Sequence, residues 1–192
     1  IAIGYQAMHT NTAGGVENLA VGNYALDALT SGDGNVALGH MTLSATDTGR
    51  HNVGVGYRAL YTNTGGDNNV AVGKESLFYN TTGEDNIALG NQSLTANTTG
   101  DANVAVGANA LTANTTGENN LAIGKNTLSA NTTGVRNMAI GRGAYYSSDT
   151  ENDNIAIGYA AMTTNTAGGT LNIAIGNYAL DALTSGDQNV AV

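Results

Sequence analysis

The chain has 192 residues, 27 of them Gly, with one Phe and no Pro, Cys or Trp, so it lacks the large side chains that fill an ordinary globular core. Six Lys and Arg against fifteen Asp and Glu leave a net charge of −9, which repels phosphate backbones and argues against a nucleic-acid partner. The lack of Cys excludes disulfides and thiolate metal sites, no apolar run approaches a membrane span, and no secretory leader is visible.

In chain order the first element is a short apolar strand, Ile1-Ala2-Ile3, closed by Gly4. The same unit recurs with its Gly at 22, 39, 56, 73, 90, 107, 124, 141, 158 and 176, at intervals of 18, eight times 17, and 18 residues. Gly54, in place of Ala in Val53-Gly54-Val55, is a small departure. Eleven repeats and the stub Val190-Ala191-Val192 use every residue, so residues 1–192 read as one array without a second domain or linker. Residues two apart on a strand share a face. The paired aliphatics therefore line one face and the Ala between them the other.

After each strand, Gly supplies a positive-φ conformation where the chain leaves the sheet. A second segment carries a third apolar column: Met8, Leu26, Leu43, Leu60, Leu77, Leu94, Leu111, Leu128, Tyr145, Met162 and Leu180. The Asn-Thr-Thr-Gly runs at 80–83, 97–100, 114–117 and 131–134 form the other corner. A second Gly column runs from Gly14 to Gly186 and fails only at Glu151. So frequent a return of Gly, Asn and Thr would cost a helix too much propensity. Short strands of one type at fixed spacing stack instead, about 4.7 Å apart. The predicted fold is all-β, a parallel β-solenoid of 17-residue coils.

Every repeat closes on Asn: Asn18, Asn35, Asn52, Asn69, Asn86, Asn103, Asn120, Asn137, Asn154, Asn172 and Asn189. In a stack, each amide donates to one neighbour and accepts from the other, a structural ladder worth about 1 kcal/mol per rung. A single coil buries too little to offset the ordering of its own backbone, so stacking is obligatory. Even eleven coils leave a thin core. The small Ala suggests close packing on its face of the strand, where a second chain would supply the missing burial. Self-association is expected.

A larger period is also present. Residues 1–38 match 155–192 at 30 of 38 positions, and both contain a one-residue insertion, at Gly14-Gly15 and Gly168-Gly169. The offset of 154 residues is nine coils, so the array is duplicated in nine-coil units and reads as a window on a longer one. The Asn-Ile-Ala-Ile-Gly type strands at 86–90, 120–124 and 154–158 resemble the head repeats of trimeric autotransporter adhesins, the YadA-like family. They are also similar to repeat arrays of phage tail-fibre-like and bacterial surface fibre proteins, where such strands alternate with Asn-Thr-Thr-Gly. The resemblance implies a left-handed β-roll, a homotrimer, and a role in adhesion or as a rigid fibre outside the cell, on its surface or on a virion. The repeat here is longer than in adhesin heads, and no coiled-coil stalk, anchor or C-terminal chaperone segment is seen.

Sharper sites are weaker in the sequence. Asp33, Asp67, Asp85 and Asp101 fall near the second Gly column and could collect Ca²⁺, which favours several oxygen ligands, although solvated acidic turns explain them better. Ice binding calls for Thr at alternate strand positions, and the Thr here are adjacent. His9, His40 and His51 occupy three different columns, with no nucleophile–base or paired-carboxylate spacing, so no enzymatic activity and no cofactor are expected. Asn80, Asn91, Asn97, Asn114 and Asn131 begin Asn-x-Thr/Ser sequons, though Asn and Thr also suit corners. Tyr5, Tyr24, Tyr57, Tyr159 and Tyr178 cluster after the strand Gly and suit an adhesive edge or packing between chains.

The ninth coil breaks the pattern: Tyr145 replaces Leu, and Glu151 replaces Gly amid Asp149 and Asp153. Tyr is too large to enter a close-packed coil quietly. This corner is expected to bulge outward or turn differently, to bring the Tyr145 hydroxyl to the surface or to a partner, and to offer a contact for a neighbour, ligand or cation. The favoured function is a structural or adhesive fibre, with a cell-surface or glycan receptor in view. The alternative is a solenoid module that binds Ca²⁺, a glycan or ice.

Overall fold

Three apolar residues closed by glycine form only a fragment of a strand, and such fragments persist when each pairs with copies of itself on both sides. In the computed structural model, which describes residues 1–11, 13–165 and 168–192, they do so throughout. Among the described residues twelve parallel strands form one sheet in strict chain order, from β1 (Ala2–Ile3) through ten strands of three residues to β12 (Val190–Ala191). Register is kept from coil to coil, with Ile87 beside Val104, Ala88 beside Ala105 and Leu89 beside Val106. The protein is a β-solenoid of about eleven 17-residue turns. No helix long and apolar enough to cross a membrane occurs among the described residues.

The two strand faces are disposed opposite to expectation. The central residue of each three-residue strand, Ala from Ala20 to Ala174 except at Gly54, is buried inside the coil. The flanking aliphatics point outward and stay half-buried or exposed, as in Val36 and Leu38 or Ile87 and Leu89. The physical reason is the width of the tube. A Cβ placed on Gly54 would lie 2.6 Å from Thr42 Cγ2 and 3.3 Å from Leu43 Cδ1, so the second segment crosses directly beneath the strand and leaves room for little more than a methyl. The buried core is therefore an Ala column against the Leu26–Leu180 column, and the closely packed Ala face meets its own coil rather than a second chain.

That narrow path needs unusual backbone. The core column from Met8 to Leu180 lies at φ between +50° and +53°, a region that costs an L-residue roughly 1–2 kcal/mol. The residue two places earlier is also left-handed, as in Gln92 at φ +53°. A third such column precedes the ladder Asn, as in Ala102 at φ +55°. Hydrogen bonds to the coils on either side hold these conformations. Gln92 N–H donates to Lys74 O in the coil before, at 2.9 Å, and Leu94 N–H donates to Ala110 O in the coil after, at 2.9 Å.

The insertion is absorbed at a corner. A Cβ on Gly168 would meet nothing within 4 Å, whereas one on Gly169 would lie 2.5 Å from Asn165 Oδ1. The extra residue thus bulges outward, and Gly15 and Gly169 take the tight positions of the second Gly column rather than Gly14 and Gly168.

Candidate functional site

The asparagines that close each repeat lie in one buried column, from Asn18 (6% exposed) through Asn172. Asn103 shows the pattern. Its backbone N–H donates to Asn86 Oδ1 at 3.0 Å, its Nδ2 donates to the same oxygen at 3.2 Å, and Nδ2 also donates to Gly117 O at 2.7 Å. The backbone bond to the preceding Asn Oδ1 recurs from Asn35 to Asn189, and the Nδ2 bond to a carbonyl of the next corner recurs from Asn18 to Asn172.

A second ladder flanks the same corner from the other side of the Gly column. Asn80, Asn97, Asn114 and Asn131 are fully buried, each donating from Nδ2 to the Oδ1 of the coil before at 2.7–2.8 Å. Each also donates to the carbonyl three residues on, as Asn97 does to Gly100 at 2.9 Å. The Gly carbonyls therefore sit between two amide ladders, since Asn86 Nδ2 reaches Gly100 O as well, at 2.8 Å. The sequence signal was the Asn opening each Asn-Thr-Thr-Gly run, which reads as a corner residue or sequon. Burial closes four of those sequons; Asn91 alone is exposed.

The irregular ninth coil does not bulge. Tyr145 is fully buried like Leu128, at φ +51°. The corner is paired with the coil before it as usual: Thr132 N–H donates to Asp149 O at 2.8 Å, as Thr115 N–H does to Thr132 O. The room comes from Ser148, which stands in the amide column in place of Asn. The Tyr145 hydroxyl fills the space the amide would take and accepts from Asn165 Nδ2 at 3.0 Å and Asn154 Nδ2 at 2.6 Å. Burial, and then the nearby Glu151 carboxylate, push this phenol far above its ordinary pKa. Ser148 also removes one of the two nearest obstacles a Cβ meets at the preceding Gly positions, the Asn Oδ1, the other being the carbonyl of the next coil, and Glu151 occupies this position. Its carboxylate accepts from the N–H groups of Asp149 at 2.8 Å, Thr150 at 3.1 Å and Gly168 at 3.1 Å.

Three of the four carboxylates proposed for cations are each engaged separately. Asp33, Asp67 and Asp101 accept the N–H of Val16, Arg50 and Glu84 in the preceding coil, at 2.7–2.8 Å. They recur every second coil, about 9 Å apart, too far to share one Ca²⁺. Asp85 stands in the neighbouring left-handed column. Asp149 takes the Thr132 hydroxyl at 2.5 Å, and Asp153 forms a two-pronged pair with Arg136 at 2.6 and 2.8 Å. The structure therefore sends Asp149, Glu151 and Asp153 to different partners. Among the described residues no three His, Asp or Glu side chains converge as metal ligands.

Aromatic residues form two exposed runs. At the edge after the strand Gly, Tyr5, Tyr24, His40 and Tyr57 meet in sequence with centroids 5.5–6.0 Å apart, edge-on except for the stacked His40 and Tyr57, and Tyr159 meets Tyr178 at 5.3 Å. Arg58 lies over both Tyr57 and Tyr61, at 5.1 and 5.6 Å from the ring centres. Tyr61 stacks on Phe78, which meets Tyr79 edge-on at 4.6 Å. Tyr61, Phe78 and Arg58 went unremarked in the sequence because Arg58 is the one Arg in its column, and the Tyr61–Phe78–Tyr146 column otherwise holds His, Asp, Ser and Thr. Neither family models, curated proteins nor solved structures match this chain.

Proposed function

We propose that the chain is a stretch of a structural or adhesive fibre that lies outside the cell, on its surface or on a virion, and whose copies pack together along the aliphatic face of the sheet. The supporting observation is that face itself. From Leu19 and Val21 to Ile173 and Ile175, every outward strand position is Ile, Val, Leu or Met, and Leu38, Val72, Ile87, Ile123 and Ile175 remain 37–39% exposed. The strip is two side chains wide and about 45 Å long, with no charge to interrupt it. An apolar strip of that extent calls for a partner, and a second copy offers a face of the same length, pitch and chemistry. The resemblance to trimeric adhesin heads favours three copies meeting along one axis.

Sedimentation and native mass measurement test this, with Val104→Asp/Leu121→Asp as the disrupting pair. The parent is expected to be an oligomer and the variant a smaller species of unchanged coil content. A parent that stays monomeric and soluble at micromolar concentration would overturn the assignment of this face.

A further inference from the structure

We infer that the face opposite the aliphatic strip carries an elongated saccharide-binding groove for a linear, neutral chain of pyranose sugars. Three recesses follow one line along the solenoid, between the residues two and five places after the strand Gly. The widest, about 340 Å³, is lined by Arg58, Glu75, Phe78, Tyr79, Gln92 and Thr95. Two more, of about 230 and 150 Å³, share Asn126 and flank Tyr146. Phe78 and Tyr146 occupy the same column four coils apart, about 19 Å along the axis.

The chemistry of the walls points to sugar. Sugar-sized sites combine aromatic faces with a few placed polar groups. Phe78 and Tyr79 stand at 77° to one another, an L-shaped corner, and Tyr79 is 53% exposed. Tyr146, 47% exposed, supplies the second aromatic station. Between them the groove presents an amide from one wall and a hydroxyl from the other at each coil: Gln92 with Thr95, then Asn109 with Thr112, then Asn126 with Ser129. The Gln92 amide is oriented by its 2.9 Å bond to Glu75 Oε2. Arg58 is pinned by two tyrosines, its Nε is buried without a partner, and its guanidinium makes no ion pair among the described residues. Such an arrangement offers directed donors and acceptors to hydroxyl groups on a stacked ring. Glu75 in the groove and the net charge of −9 disfavour a polyanionic chain.

Binding is tested on the assembled protein by calorimetry against maltose-, cellulose-, chitin-, mannan- and xylan-derived trimers and hexamers, with a polygalacturonate hexamer as the acidic comparison. One neutral hexamer is expected to bind at least about tenfold more tightly than its trimer, because only the longer chain spans both stations. Tyr79→Ala and Tyr146→Ala should each remove about tenfold of that affinity, with the unfolding transition unchanged and Tyr178→Ala without effect. Absence of binding by every neutral hexamer at millimolar concentration overturns the proposal. So does equal affinity for trimer and hexamer, indifference to both substitutions, or preference for the acidic hexamer. The oligomeric state is read separately, so failure here leaves the aliphatic face as an independent question.

Discussion

The Tyr145 hydroxyl accepts a hydrogen bond from Asn165 Nδ2 at 3.0 Å, in the place where Asn114 Oδ1 accepts from Asn131 Nδ2 at 2.8 Å. A phenol from one column thus stands in for an amide of another. Tyr145 and Ser148 act as a compensated pair, and their substitutions should be strongly non-additive. Tyr145→Phe strands one buried N–H of Asn165, whose other N–H keeps Gly169 O, while Asn154 Nδ2 keeps Asn152 O and Gly169 O, and should cost about 1–2 kcal/mol. Ser148→Asn alone should cost more, because its amide collides with the phenol. Tyr145→Leu/Ser148→Asn/Glu151→Gly rebuilds the common coil and should recover most of the loss. Denaturant unfolding of the set would test this, and additive losses would refute the pairing.

Asn103 donates to Asn86 Oδ1 and Gly117 O and accepts from Asn120 N–H at 3.0 Å. Asn103→Ala leaves the buried Asn120 N–H without an acceptor, although Asn86 Oδ1 keeps the backbone N–H of residue 103 and Gly117 O keeps Asn114 Nδ2. It should cost about 2 kcal/mol, whereas exposed Asn91→Ala should change little. Asn103→Asp retains acceptors but places a carboxylate against the Gly117 carbonyl. Its defect should therefore be larger at neutral pH than under acid conditions that protonate it. Equal unfolding midpoints for the Ala variants at positions 103 and 91 would contradict the ladder.

Arg136 holds the Asp153 carboxyl below the ordinary carboxylate range, chiefly through their hydrogen bonds. A depressed carboxylate stabilises the fold above its unfolded pKa, and that contribution is lost as pH falls through the folded value. Both groups are on the surface, so the effect on global stability is small. The site-specific signal is clear. In an NMR titration Asp153 should ionise below a typical Asp, and Arg136→Met should return it to the usual range. Asp187, held low by Thr170 N–H, should not move with it. An ordinary Asp153 titration in the parent would count against the ion pair.

The repeat, the sheet and the closing Asn column were legible because each recurs without interruption and stacking is the one arrangement that satisfies all copies together. Which strand face lies inside was not legible. Period-two patterning separates the Ala of β6 (Ile87–Leu89) from its aliphatics, but hydrophobicity places the larger pair inward. Tube width, set by the segment that includes Leu94, reverses that choice. The Tyr145 fit was hidden for a related reason. Its room is made three residues later, at Ser148, and only the stacked geometry brings Asn165 to the hydroxyl.

The left-handed columns yield the cleanest reversal of a usual rule. Glycine in a regular element is ordinarily destabilising, since the unfolded chain gains freedom. Ala102 sits at φ +55°, is exposed, and has only a methyl to lose. Its backbone N–H already bonds to Glu84 O at 3.0 Å, a contact that glycine keeps. Glycine already occupies left-handed sites of this kind, Gly34 at φ +65° in the same column four coils earlier and Gly143 at φ +65° in the column of Gln92. Ala102→Gly should therefore stabilise the solenoid, by about 1 kcal/mol after the unfolded-state term is subtracted. Ala108→Gly, at a position outside those columns, should destabilise or do nothing. Thermal and denaturant unfolding of the two variants beside the parent would decide it. A lower midpoint for Ala102→Gly would mean that the left-handed backbone at this column is not the conformation the chain adopts.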